Sequence, residues 1–207
     1  MKGERMALME LGQKSLSKLC IIALVFFATS TPSRANDKKL AEAFVQDLGS
    51  KIIEVVDNKS TVSEKQKKLL KLFKNNASVM TISRAALGTK WRTLNAKTRL
   101  DFANAFTDYL VKKYGKQFEE FRGATLVLER SIDAGKRGVL VNTRLLMPGT
   151  SPVSIKWQVW RKTDNFKLLD IIIEDISMLT MEREEIKNRL SIQKGIIQSL
   201  IKDLQKP

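Results

Sequence analysis

Asp170 and Glu174 come closest, among the residues of this 207-residue chain, to a pair that could do chemistry. They stand four residues apart in a predicted strand and therefore share one of its faces. A carboxylate held in an apolar pocket keeps its proton to higher pH and can serve as a general base. Against that stands the plainer expectation that each acid pairs with a neighbouring Lys or Arg. The rest of the composition removes most other catalysts. The chain has no histidine and one cysteine, Cys20. Neither a Ser-His-Asp nor a Cys-His machine can be assembled, and a zinc site would need carboxylates alone. Hydrolase and metalloenzyme functions are poorly supported, and no cofactor is expected. Two aromatic-basic groups, Trp91-Arg92 and Trp160-Arg161-Lys162, could meet a membrane or a partner; cation-π packing within the fold is the alternative.

Cys20 is expected to be absent from the working domain. Lys14 and Lys18 precede an apolar run from Leu19 to Ala28, and Ser33-Arg34-Ala35 offers a small-x-small cleavage site, so residues 1–35 are predicted to be a signal peptide removed after Ala35. The run is about half the roughly 20 apolar residues that span a bilayer. Cys20 opens it, whereas a lipidated cysteine would follow it. Residues 36–207 suit a single domain with no linker or repeat, large enough to bury a core. Without cysteine, that domain must draw its stability from packing. The chain holds 37 Lys and Arg against 22 Asp and Glu, and the signal removes five and two of these, leaving about +12. In an exported protein this balance favours anionic lipid surfaces or acidic partner proteins over nucleic acid. The alternative is that scattered lysines only keep the domain soluble.

The elements that must position these groups follow from hydrophobic period. Asn36 to Val56 reads as a helix with Leu40, Phe44, Leu48, Ile52 and Val55 on one stripe. Ser63 to Gln66 offers a capping box before a second helix carrying Leu69, Leu70, Leu72 and Phe73. A short third helix, about Val79 to Leu87, ends at Gly88. Asn95 caps a long fourth helix to about Tyr114, with Phe102, Ala103, Phe106, Tyr109, Leu110 and Tyr114 on a broad apolar face. After Gly123 the period becomes two. Residues 124–132, 138–147, 152–161 and 166–174 read as four strands of an antiparallel meander. In the third, Val153, Ile155, Trp157 and Val159 alternate with Ser154, Lys156 and Gln158, so one face is dry and the other wet. The fourth, apolar on both faces apart from Lys167 and its acids, is expected to be central. Ile176 to Leu190 and Ile192 to Leu204 read as closing helices, with Ser177 as an N-cap or, alternatively, a headgroup contact.

Three local signatures then fall in register. They are Ala86-Leu87-Gly88-Thr89-Lys90-Trp91-Arg92; Arg99, Phe102 and Phe106 followed by Tyr109-Leu110 and Tyr114-Gly115; and Phe166 through Met178 with its Asp170, Glu174-Asp175-Ile176-Ser177 ending. Together they resemble the MlaC family, the periplasmic phospholipid-binding component of the Mla retrograde lipid transport system, also called the toluene-tolerance auxiliary family. Two departures stand out: Asp175 holds the usual glycine position, where a positive φ is harder for other residues, and Phe166 replaces the usual tryptophan.

The resemblance implies an α+β fold, with N-terminal helices packed on a curved four-stranded antiparallel sheet of nuclear-transport-factor-2-like type and closed by C-terminal helices. It implies a non-enzymatic, monomeric carrier in the periplasm of a Gram-negative bacterium, with one phospholipid as cargo and no cofactor. Its expected partners are an outer-membrane lipoprotein-porin complex and an inner-membrane ABC transporter with MCE-domain subunits, with no nucleic acid. The expected ligand-binding residues are Leu87, Phe102, Phe106, Tyr109, Leu110, Tyr114, Ile155, Trp157, Val159, Leu169, Ile171, Ile173 and Ile176. Period alone does not separate the lining of a pocket from ordinary core. Three alternatives remain: a carrier of hopanoids or another lipid, an isomerase-type enzyme of the nuclear-transport-factor-2-like superfamily with Asp170 as base, and a lipid-free adaptor.

Overall fold

A computed structural model describes residues 34–206 apart from 116 and 164. Helix α1 (Arg34–Asp57) lies across the sheet on a stripe shifted from the expected one. Ala41, Val45, Leu48 and Val56 are buried, while Leu40 is 42 % exposed. Small side chains permit the closest approach, and the limit is reached at Gly49, where a Cβ would stand 2.4 Å from the side chain of Leu126. Most of the predicted signal lies outside the described residues, and the expected cleavage point falls within the first turn of α1.

Helix α2 (Val62–Asn76) is capped two residues earlier than expected. Thr61 Oγ1 accepts from the Glu64 amide at 3.3 Å, and the Thr61 amide donates to Glu64 Oε2 at 2.9 Å. A glutamate at the third position adds a favourable charge at the positive helix end, which Gln66 would not supply. Helix α3 (Val79–Leu87) runs into a 3-10 turn, Gly88–Thr93, that buries Trp91. Arg99, not Arg92, stands over the Trp91 ring at 5.7 Å. Helix α4 (Ala96–Gly115) starts where Asn95 Oδ1 accepts from the Thr98 amide, and a 3-10 turn, Gln117–Phe121, leads into the sheet.

The sheet has five antiparallel strands in sequential order: β1 (Thr125–Asp133), β2 (Val139–Leu146), β3 (Val153–Lys162), β4 (Asn165–Ile173) and β5 (Ile176–Ser177). Two expectations change. First, β4 is not central, because beyond it lie only the two residues of β5 and a parallel bridge from Ala77 to Leu168. Second, β4 owes its continuous apolar character to a bulge that leaves Leu169 unpaired between Leu168 and Asp170. Phe166 and Leu168 before the bulge and Ile171 and Ile173 after it thereby share the side of Ile155, Trp157 and Val159.

Glu174 and Asp175 form the two-residue turn between β4 and β5, both with positive φ (45° and 65°). A type I′ turn joining two strands requires that geometry at both central positions. Asp is among the non-glycine residues that tolerate it, and Asp175 also pairs with Lys156. Helices α5 (Met178–Ile192) and α6 (Ile197–Leu204) close the chain, with Ile176 and Ser177 drawn out of the expected helix into β5. Arg161 of β3 reaches Asp37 of α1 at 2.6 Å.

Candidate functional site: an apolar cavity between helices and sheet

Between the helices and the inner face of the sheet lies a cavity of about 240 Å³ with an almost wholly carbon lining. The second half of α1 contributes Leu48, Ile52, Ile53 and Val56; α2 contributes Leu69, Leu72 and Phe73; α4 contributes Phe106, Leu110, Val111 and Tyr114. Phe121, Leu126, Leu145, Ile155, Trp157, Leu168, Leu169, Ile171 and Ile173 line it from the turn and the strands, with Ile82 of α3 and Met178 and Leu179 of α5. A space lined this way stays dry and suits hydrocarbon. Trp157 meets its polar requirement away from it, donating from Nε1 to Thr143 Oγ1 at 2.9 Å.

The thirteen expected ligand residues therefore divide. Phe106, Leu110, Tyr114, Ile155, Trp157, Leu169, Ile171 and Ile173 are brought to the cavity. Leu87, Phe102 and Val159 are buried in packed core, Phe102 between the rings of Trp91 and Phe106. Tyr109 stacks on Phe106 outside the lining, with Lys113 and Arg189 over its ring. Ile176 is 55 % exposed, because the chain passes through β5 there. The walls supplied by α1 and α2 were not among the expected ligand residues. Their signal was present in the paired Ile52-Ile53 and in Leu69 to Phe73, where the apolar stripe is wider than contact with one neighbour requires.

One end of the cavity is polar. Glu182 of α5 is 2 % exposed; its Oε1 accepts from Lys113 Nζ at 2.7 Å and from the Tyr114 hydroxyl, and its Oε2 has no hydrogen-bond partner among the described residues. Partial burial works against the Lys113 ammonium, but the hydrogen bond and charge of Glu182 outweigh it and hold the Lys113 pKa well above its ordinary value. Burial first, and then the same carboxylate, push the Tyr114 hydroxyl well up too. The ion pair ties α5 to α4 at the cavity wall.

Asp170, 9 % exposed, is the second acid on the lining. The expected pairing with Lys or Arg is replaced by neutral donors: Ser177 Oγ at 2.6 Å and the Leu179 amide at 2.9 Å. Ser177 in turn accepts from the Thr180 amide at 3.0 Å as the N-cap of α5, as expected. The acid thus caps a helix N-terminus, where a negative charge is favoured. Burial nonetheless pushes its carboxyl above the usual range, with the bonds from Ser177 and Leu179 only partly opposing. Glu174 lies in the turn beyond β4, its carboxylate accepting from the Ser154 amide, so the two acids do not form a pair. No group of three metal-ligating side chains occurs among the described residues, and no helix among them is long and apolar enough to cross a membrane.

Residues 46–206 match the family described as MlaC protein. The chain belongs to the MlaC family. The MlaC fold is also that of a solved structure, a phospholipid-binding protein from Ralstonia solanacearum in complex with a phospholipid. The two share 17 % identity at a TM-score of 0.68, over 79 % of this chain and 94 % of the other. As in any MlaC-family chain, binding and transport of phospholipid is the function to which the cavity must be related.

Proposed function

We propose that this protein is a periplasmic carrier that takes one phospholipid at a time between an outer-membrane lipoprotein-porin complex and an inner-membrane ABC transporter with MCE-domain subunits, and so maintains outer-membrane lipid asymmetry. The observation that carries this reading is the carbon-lined cavity held between the helices and the sheet. Moving acyl chains through water exposes methylenes at about 0.8 kcal/mol each, and a dry slot removes that cost. The phospholipid held by the Ralstonia solanacearum protein of the same fold supports the cargo class. At about 240 Å³ the cavity is smaller than the pockets of about 300–1,000 Å³ that hold drug-sized ligands, so entry of two acyl chains requires its walls to part. Export through a cleaved signal at residues 1–35 is part of the same proposal. Asp170, with both oxygens engaged at the start of α5, fits a structural acid better than a base.

Transfer of a labelled phospholipid between donor and acceptor vesicles that are kept from touching tests the carrier. Transfer proportional to protein is the expected result; no transfer above the protein-free rate would overturn it.

A further inference from the structure

Helix α2 has two working sides. Its inner side supplies Leu69, Leu72 and Phe73 to the cavity. Its outer side carries Lys67, Lys71 and Lys74 at a spacing of four and three, all exposed, with Lys68 beside them. Helix α4 runs antiparallel alongside, since Lys74 Nζ is 3.7 Å from Asp108 Oδ1 while Gly115, two turns further on, meets the side chain of Gln66. Exposed Lys112 stands one turn beyond Asp108 on the stripe that faces α2, which adds a fifth ammonium to the same surface. Two acids share this stripe: Glu64, engaged in the capping box and within reach of the charges of Lys67 and Lys68, and Asp108, in an ion pair with Lys74. Lysine therefore outnumbers acid on the outer surface of α2 and α4, two of the helices whose inner surfaces wall the cavity.

We propose that this α2–α4 surface docks the protein on an anionic lipid bilayer, placing the walls of the cavity against the membrane from which cargo is taken or to which it is given. The argument is one of charge complementarity and position. A bilayer bearing anionic headgroups attracts lysines held near its surface, each strengthening association by about fivefold, and salt screens the attraction within about 10 Å. A solvated lysine face elsewhere on the protein would bring no part of the cavity to the membrane. The docking purpose rests on the carrier reading, whereas the charged surface itself does not.

Sedimentation with vesicles tests it directly, using phosphatidylcholine alone and phosphatidylcholine with about one third phosphatidylglycerol, at low salt and at about 0.5 M. The purified protein is expected to bind only the anionic vesicles and to be released by salt. Lys67→Gln, Lys71→Gln and Lys112→Gln together are expected to weaken binding at least tenfold, with each single change weakening it several-fold should the triple variant fail to fold. Lys136→Gln, Arg137→Gln and Lys162→Gln, in the connection between β1 and β2 and at the end of β3, are expected to change it less than twofold. Failure to bind anionic vesicles, even where an acidic protein binds, or equal losses in the two sets, would overturn the proposal. Phospholipid recovered from the same preparations reads the carrier function separately, so that loss of docking with cargo retained is distinguishable from failure of the carrier reading.

Discussion

Glu182 is buried beside hydrocarbon and is bound by Lys113 and Tyr114, sixty-nine and sixty-eight residues away in the chain. Removing one partner of a buried hydrogen-bonded charge is expensive, although Lys113, about one third exposed, can recover water. Glu182→Gln is therefore expected to lower stability by about 1–3 kcal/mol in denaturant unfolding; no loss would mean the pair does not secure α5. Asp170 makes a different test. Burial raises its carboxyl pKa, so the folded state prefers the protonated form. The stability it contributes is complete below the unfolded value of about 3.9 and is lost as pH rises through the folded one. Asp170→Asn cannot titrate. Its unfolding free energy relative to the wild type is expected to increase as pH is raised from about 4 toward neutrality, and a flat or falling difference would show that the carboxyl is not desolvated.

At the scale of elements, α1 and the sheet are in close contact at Gly49 and Leu126 on the cavity wall. Gly49→Leu is expected to push into this space and reduce recovered phospholipid severalfold while circular dichroism still shows a folded helix-and-sheet protein. Unchanged recovery would place the cargo elsewhere. Helix α3, the long α4 and the four main strands were legible because period and punctuation agreed, with Gly88 and Asn95 marking their boundaries. What the sequence hid were choices decided by tertiary contact. Thr61-Glu64 and Ser63-Gln66 both satisfy the capping pattern, and only the acidic version formed. The bulge at Leu169 made a half-buried strand read as one buried on both faces. Ile176 looked like a helix residue at the pocket mouth until the Glu174-Asp175 turn drew it into β5. Part of the cavity wall, on α4 and the strands, was legible for the same reason that the core was, because both need apolar residues at one period. The Lys113–Glu182 pair was not, since nothing local signals a contact across so many residues.

As a whole molecule the chain is strongly basic, +15 in total, which opposes self-association. A monomer is expected in sedimentation at micromolar concentration, and an obligate dimer would contradict that expectation. The carrier function depends on the dry cavity between the helices and the sheet holding a lipid in protein that has never met detergent. Native mass spectrometry of such protein is the most direct measurement. The account predicts a population heavier than the bare chain by the mass of a single phospholipid, released on denaturation as a phosphorus-containing lipid. A bare chain alone would contradict it, and so would a bound lipid lacking phosphorus.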